Sequence, residues 1–229
     1  MDNQESHPSD FAWTSRAWER IRVLWLAKMI GSLVCMTLFF AVYFLLLNFP
    51  RFPVSTVPRI FVDRLVPFQP GSLPLYVSLW VYVLLAPALL PDRRALWSYL
   101  AAVVALSVVG FGIFLIWPTA VPKPEIPWPE HTLLSYLKVV DASGNAFPSL
   151  HTAFAVFTAA WLGRLLRGIG AGGIARALNW LWCAGIVYST LATRQHVALD
   201  ALAGAALGAA GALIHFRILG ALRARSGSA

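Results

Sequence analysis

The sequence predicts an all-α fold, a polytopic membrane protein built as a bundle of about six transmembrane helices. Three observations carry that expectation. Of 229 residues, 59% are hydrophobic and 12% charged, and a water-soluble domain of this length would lack the polar side chains to cover its surface. Several windows approach or exceed the roughly 20 apolar residues that a bilayer-crossing helix needs. The arginines gather in short loops that fall on one side of the membrane if the spans alternate.

The opening "MDNQESHPSD" is acidic and polar, without the basic start and cleavable apolar stretch of a secretory signal. Residues 1–28 are expected to form a cytoplasmic and interfacial segment. In "FAWTSRAWERIRVLW", Arg16, Arg20 and Arg22 mix with Trp13, Trp18 and Trp25, as suits a helix lying in the headgroup layer. A six-helix domain then occupies 29–219, and 220–229 forms a cytoplasmic tail. The first span is Met29 to Phe49, closed by Pro50. The second lies near Leu73 to Leu90, with Pro74 and Pro87 at its ends, and the third runs from Ala95 to Trp117 after a tight hairpin at "PDRRA". The fourth starts at "FPSLH" and continues to near Leu166. The fifth, Leu178 to Thr193, is short for a span and must borrow residues from its flanks. The sixth runs from Val197 to Leu219.

The net charge of +8 raises the question of nucleic acid, and the distribution answers it in favour of a membrane. Arg93 and Arg94 share one loop, Arg164, Arg167 and Arg176 another, and Arg217, Arg223 and Arg225 lie at the carboxyl end, which makes that side cytoplasmic. Across the membrane, the 118–148 loop balances Lys123 and Lys138 against Glu125, Glu130 and Asp141. The Arg51 to Gly71 loop is basic as well, with Arg51, Arg59 and Arg64 against Asp63. Cys35 and Cys183 fall within predicted spans and read as small buried apolar residues rather than as a disulfide. The glycine-rich "GIGAGGIA" has no lysine-serine tail and no strand before it, so it is a loop and not a nucleotide cradle.

Chemistry is expected where the bilayer does not easily tolerate charge. His151 follows Ser149 by two residues at the start of the fourth span, and "RQHVALDALAGAALG" opens the sixth with His196 and Asp200. A spacing of four puts those two side chains on one helical face, so the carboxylate can hold one imidazole nitrogen and leave the other to react. An ionised carboxylate a turn into the membrane normally has a partner or a function. Counting on by fours gives Gly204 and Gly208, a smooth stripe that admits another helix. From His151 the same count gives Ala155 and Ala159. Two small-residue stripes, each headed by histidine, predict packed helices with His151 facing His196 at one end. A metal site built from His151, His196, Asp200 and His131 is the alternative, but the close-set ligand spacing of a zinc motif is missing. No metal and no other cofactor is assigned.

At these residues the chain resembles the type 2 phosphatidic acid phosphatase superfamily of membrane lipid phosphatases and phosphotransferases. That family's second motif, Pro-Ser-Gly-His, stands here as Pro148, Ser149, Leu150 and His151. The third, Ser-Arg, five residues, His, three residues, Asp, stands as Ser189, Thr190, His196 and Asp200. Leu150 and Thr190 are similar to the branch containing fungal inositol phosphorylceramide synthase and its bacterial relatives. The first motif is partial: Lys123 and Pro124 occupy its Arg-Pro position, while its lysine position falls on Ile116. The likeness covers about the second half of the chain.

The resemblance implies a phosphohistidine mechanism without metal. His196 attacks phosphorus, Asp200 fixes its tautomer, and His151 protonates the leaving oxygen and then activates water or an alcohol. Lys123, Ser149, Arg194 and the amides at Leu150 are expected around the phosphate, with Arg59 or Arg64 approaching from the other outward loop. The implied activity is a lipid phosphate phosphatase facing out of the cytoplasm, with membrane lipids as its surroundings. A headgroup phosphotransferase is the runner-up, and an inactive lipid-binding or lipid-transporting relative is a third reading, favoured by the missing family cations.

Overall fold

The computed structural model describes residues 12–122 and 145–226, which are mainly helical. Helix α1 (Ala12–Arg22) buries none of its residues, in keeping with an interfacial position. Leu24 adopts a left-handed φ of 56° and turns the chain into α2 (Trp25–Asn48). Lys28 fixes that turn. It is buried, and its Nζ donates to the carbonyls of Arg20 at 2.6 Å and Ala88 at 2.9 Å, which offsets the cost of withdrawing an ammonium from water.

After the short α3 (Phe61–Leu65), a rod from Pro70 to Ala88 combines a 3-10 turn with α4 (Leu73–Val77) and α5 (Leu79–Ala88). Pro74 sits in the first turn of α4, where its missing N–H has no partner to lose. Helix α6 (Arg93–Ile116) is capped by Asp92, whose Oδ1 accepts from Ala95 N at 2.8 Å. Helices α7 (Leu150–Gly168), α8 (Gly173–Ala192) and α9 (Ala198–Ser226) complete the bundle.

Among the described residues, four segments are long and apolar enough to cross a bilayer: Trp25–Asn48, Pro70–Ala88, Arg93–Ile116 and Ala198–Leu222. The protein is a helical membrane protein, as predicted. The other two expected spans are present as helices of 19 and 20 residues. Their sequences are less uniformly apolar because they bury Thr152, Thr158, Asn179, Ser189 and Thr190 against neighbours rather than facing lipid with them. Helix α8 begins at Gly173, well before Leu178, so the span that looked short takes its length from "GIARA". Helix α9 continues past Leu219 to Ser226.

Helix α7 lies centrally, packed on α9, α8 and α5. A side chain on Gly204 would collide with the carbonyl oxygen of Ser149, and one on Gly208 with that of Ala153, so the glycine stripe does admit the backbone of α7. The face it admits is Ser149 and Ala153, not the expected His151, Ala155 and Ala159. Ala159 instead offers its carbonyl to Asn179 Nδ2 of α8 at 3.0 Å, while Tyr82 Oη of α5 donates to Asn179 Oδ1 at 2.7 Å. The predicted arginine-rich side is real as one end of the bundle: the Arg16 guanidinium lies beside Gly170 in the α7–α8 turn, and Lys28 reaches the end of α5. At the other end, β1 (Ser55–Thr56) pairs in parallel with β2 (Thr119–Ala120), and Thr119 also bridges Asn145. Both cysteines are free thiols; Cys183 is buried and Cys35 half-buried.

Candidate active site

The turn between α8 and α9 is built to present an imidazole. Thr190's carbonyl accepts from both Gln195 N at 3.1 Å and His196 N at 3.0 Å, and Arg194 takes a left-handed φ of 58° to close the loop. The Ser189 and Thr190 hydroxyls turn back into α8, donating to Ile186 O at 2.6 Å and Val187 O at 2.7 Å. They shape the turn.

His196 Nδ1 lies 3.2 Å from Asp200 Oδ2. Asp200 is fully buried, and its Oδ1 has no partner among the described residues. A buried carboxylate that meets one imidazole nitrogen holds the ring's orientation and tautomer, with Nε2 on the far side. Asp200 also joins the two motifs, since its backbone carbonyl accepts from Ser149 N at 2.9 Å.

His151 stands in the first turn of α7. Its ring stacks on Tyr76 with centroids 4.0 Å apart and meets Trp80 edge-on at 5.9 Å. Its Nε2 is buried without a partner among the described residues. His151 and His196 line one cavity of about 110 Å³, whose remaining wall is largely rings: Phe39, Phe40, Tyr43 and Phe44 of α2, Tyr76 and Trp80 of the 70–88 rod, and Phe154 of α7.

Residues 95–224 match the PAP2 superfamily, more than half of the chain. The chain belongs to that superfamily. No curated protein and no solved structure matched it. PAP2 members are typically phosphatases or phosphotransferases acting on phosphate esters. The matched region holds His151, His196 and Asp200 on α7 to α9, whereas α2 and the 70–88 rod lie outside it and supply most of the cavity wall.

The expected phosphate-holding residues fare unequally in this PAP2 chain. Ser149 caps α7: its Oγ accepts from Thr152 N and donates to Thr152 Oγ1, each at 3.2 Å. The amides of Leu150 and His151 open the helix and are among those that a helix leaves without intrahelical partners. Arg194 spends Nη1 on Asp63 O at 3.0 Å and Nη2 on Val66 O at 2.8 Å, so it clamps α3 to the α8–α9 turn, and it is not among the cavity-lining residues. Arg59 donates to Pro122 O at 3.4 Å, and Arg64 is exposed. Lys123 and His131 lie outside the described residues. Among the described residues, no group of three or more His, Cys, Asp or Glu side chains converges as metal ligands.

Two residues went unread in the sequence. Asp63, which looked like a counter-charge for loop arginines, is buried and accepts from Ile60 N and Ala198 N, both at 2.7 Å. It caps α9 from the distant helix α3. Asn145 lines the cavity and donates from Nδ2 to Tyr43 O at 2.8 Å. A polar side chain two residues before Phe147 of "FPSLH" is the one local signal for it.

Proposed function

We propose that this PAP2 protein is a lipid phosphate phosphatase that works through a phosphohistidine on His196. The observation that carries the reading is one cavity holding both the Asp200-anchored His196 and the Nε2 of His151, which has no partner among the described residues. In the first half-reaction, His196 Nε2 bonds to phosphorus as the ester P–O bond breaks, and the departing alkoxide takes a proton from His151. Asp200 stabilises the charged ring. In the second, water gives a proton to His151, bonds to phosphorus and returns the P–N electron pair to His196. Developing charge on the phosphoryl oxygens calls for donors. The amides of Leu150 and His151 are suited to that task, as is Gln195 Nε2, buried beside His196 and unpartnered among the described residues; Lys123 is proposed as the cation.

An aromatic cavity at the end of a lipid-facing bundle suits a phosphate at headgroup level whose chains remain in lipid. With the arginine-rich turns at the opposite end, the cavity faces away from the cytoplasm. Leu150 and Thr190 at their motif positions favour a second reading, headgroup transfer in which a lipid alcohol replaces water.

Labelling with a radioactive phosphate ester tests the roles. His196→Ala is expected to form no phosphoenzyme with any substrate. His151→Ala is expected to lose roughly a hundredfold to ten-thousandfold in rate on an alkyl lipid phosphate, where the leaving group needs a proton, yet to label with an aryl phosphate that needs little help. Label in His196→Ala and none in His151→Ala would reverse the assignment.

A further inference from the structure

Asn145 has its amide orientation fixed by a single contact. Nδ2 faces the Tyr43 carbonyl at 2.8 Å, and because a carbonyl only accepts, the atom turned toward it must be the amide nitrogen. Oδ1 is therefore the atom left over. It is buried, with the residue 5% exposed, and has no partner among the described residues. The same holds for Nε2 of His151, whose residue is 8% exposed. Both residues line the cavity that contains His196. A buried acceptor without a donor is costly, and Asn145 Oδ1 shares one largely ring-lined space with the unpartnered His151 nitrogen.

A phosphoryl group does not satisfy Asn145 Oδ1, since its oxygens also accept, whereas a protonated His151 Nε2 donates to the leaving oxygen. Once His151 has given its proton to the leaving group, its Nε2 is again a lone pair, so the cavity then offers two acceptors to whatever clears the phosphoenzyme. Water carries two hydrogens and matches both. A simple alcohol carries one, which must go to the base, and presents an alkyl group where Asn145 expects a donor.

We propose that Asn145 is a catalytic residue that accepts the second hydrogen of the attacking water and thereby favours hydrolysis over transfer to an alcohol. The proposal rests on the phosphohistidine reading. As the water oxygen bonds to phosphorus and the bond to His196 Nε2 breaks, one hydrogen passes to His151 Nε2. The other stays on oxygen, bonded to Asn145 Oδ1, and leaves as a P–OH hydrogen of inorganic phosphate.

The experiment compares purified full-length wild type with Asn145→Ala, using a labelled aryl phosphate in the presence and absence of methanol. Asn145→Ala is expected to form phosphoenzyme at the wild-type rate and to clear it in water roughly tenfold more slowly. The ratio of methyl phosphate to inorganic phosphate is expected to rise by a similar factor. That ratio is counted over active molecules alone, so a partly misfolded preparation does not alter it. An unchanged ratio with wild-type clearance overturns the Asn145 role. So does a variant slowed equally in formation and clearance, which marks a structural part only. A wild type that never labels removes the phosphohistidine reading and this proposal together; a labelling wild type with an unchanged ratio in the variant removes the proposal alone.

Discussion

Where α9 crosses α7, main chain meets main chain: Gly204 and Gly208 lie against the carbonyls of Ser149 and Ala153, and Ser149 N donates to Asp200 O. Where α2 borders the same cavity, rings make most of the contact, with Phe39 against Phe111 and Phe154, and Phe40 against Trp80. Much of α2 is exposed, and Asn145 Nδ2 on Tyr43 O is a polar tie from it to the His151 side of the cavity. At these two glycines the first interface has no side chain of α9 to rotate, so a small displacement there passes directly to the main chain that carries the imidazoles. The second is made of rotatable groups and can change shape without moving them. The difference follows the boundary of the family match, since the glycine interface lies within 95–224 and α2 lies wholly before it.

The largest effect is expected from breaking the rigid interface. Gly204→Ala puts a methyl group into the Ser149 carbonyl, and overpacking of this kind costs about 1–3 kcal/mol. Thermal unfolding in detergent should fall accordingly, and phosphoenzyme formation should be lost on every substrate because α9 carries both His196's partner and its support. Gly112→Ala is the control, since it has nothing within 4 Å and gains up to about 1 kcal/mol of helix propensity. A Gly204→Ala protein as stable and active as Gly112→Ala would mean that the close approach does not set the site.

An intermediate effect is expected at Asp63, which lies outside the matched region yet serves the rigid half. Asp63→Ala removes the cap on Ala198 N, a loss of about 0.5–2 kcal/mol by comparison with other helix caps. Turnover of a soluble aryl phosphate should fall with KM little changed, and Asp63→Asn, which keeps one acceptor oxygen, should recover part of it. Wild-type turnover in Asp63→Ala would show that α9 needs no support from α3.

The smallest effect belongs to the wall. Phe40→Ala removes a ring from the cavity lining and should raise KM for a long-chain lipid phosphate by about tenfold, the scale of partial loss of an aromatic's apolar burial. The rate on a soluble aryl phosphate should stay unchanged. Equal loss on both substrates would erase the distinction between reacting half and wall.

Much of this architecture was legible in order of residues because it is written at short range. Apolar runs long enough to span a bilayer mark helices wherever they pack, and His196 with Asp200 at a spacing of four share a face in any helix. The glycines after Asp200 announced a close neighbour for the same reason. The residues that were misjudged or missed depend on partners far away in the chain. Arg194 looked available for phosphate, yet its guanidinium meets Asp63 O across 131 positions. Asp63 caps an amide 135 positions away, and Asn145 is oriented by a carbonyl 102 positions away. Which face of α7 the glycines accept was likewise open, because a helix with alanine on one side and serine and alanine on another offers two smooth faces. Local periodicity determines what a helix can present; only the packed bundle, where every buried donor and acceptor must find its partner, decides which of those groups are spent on the fold and which remain for chemistry.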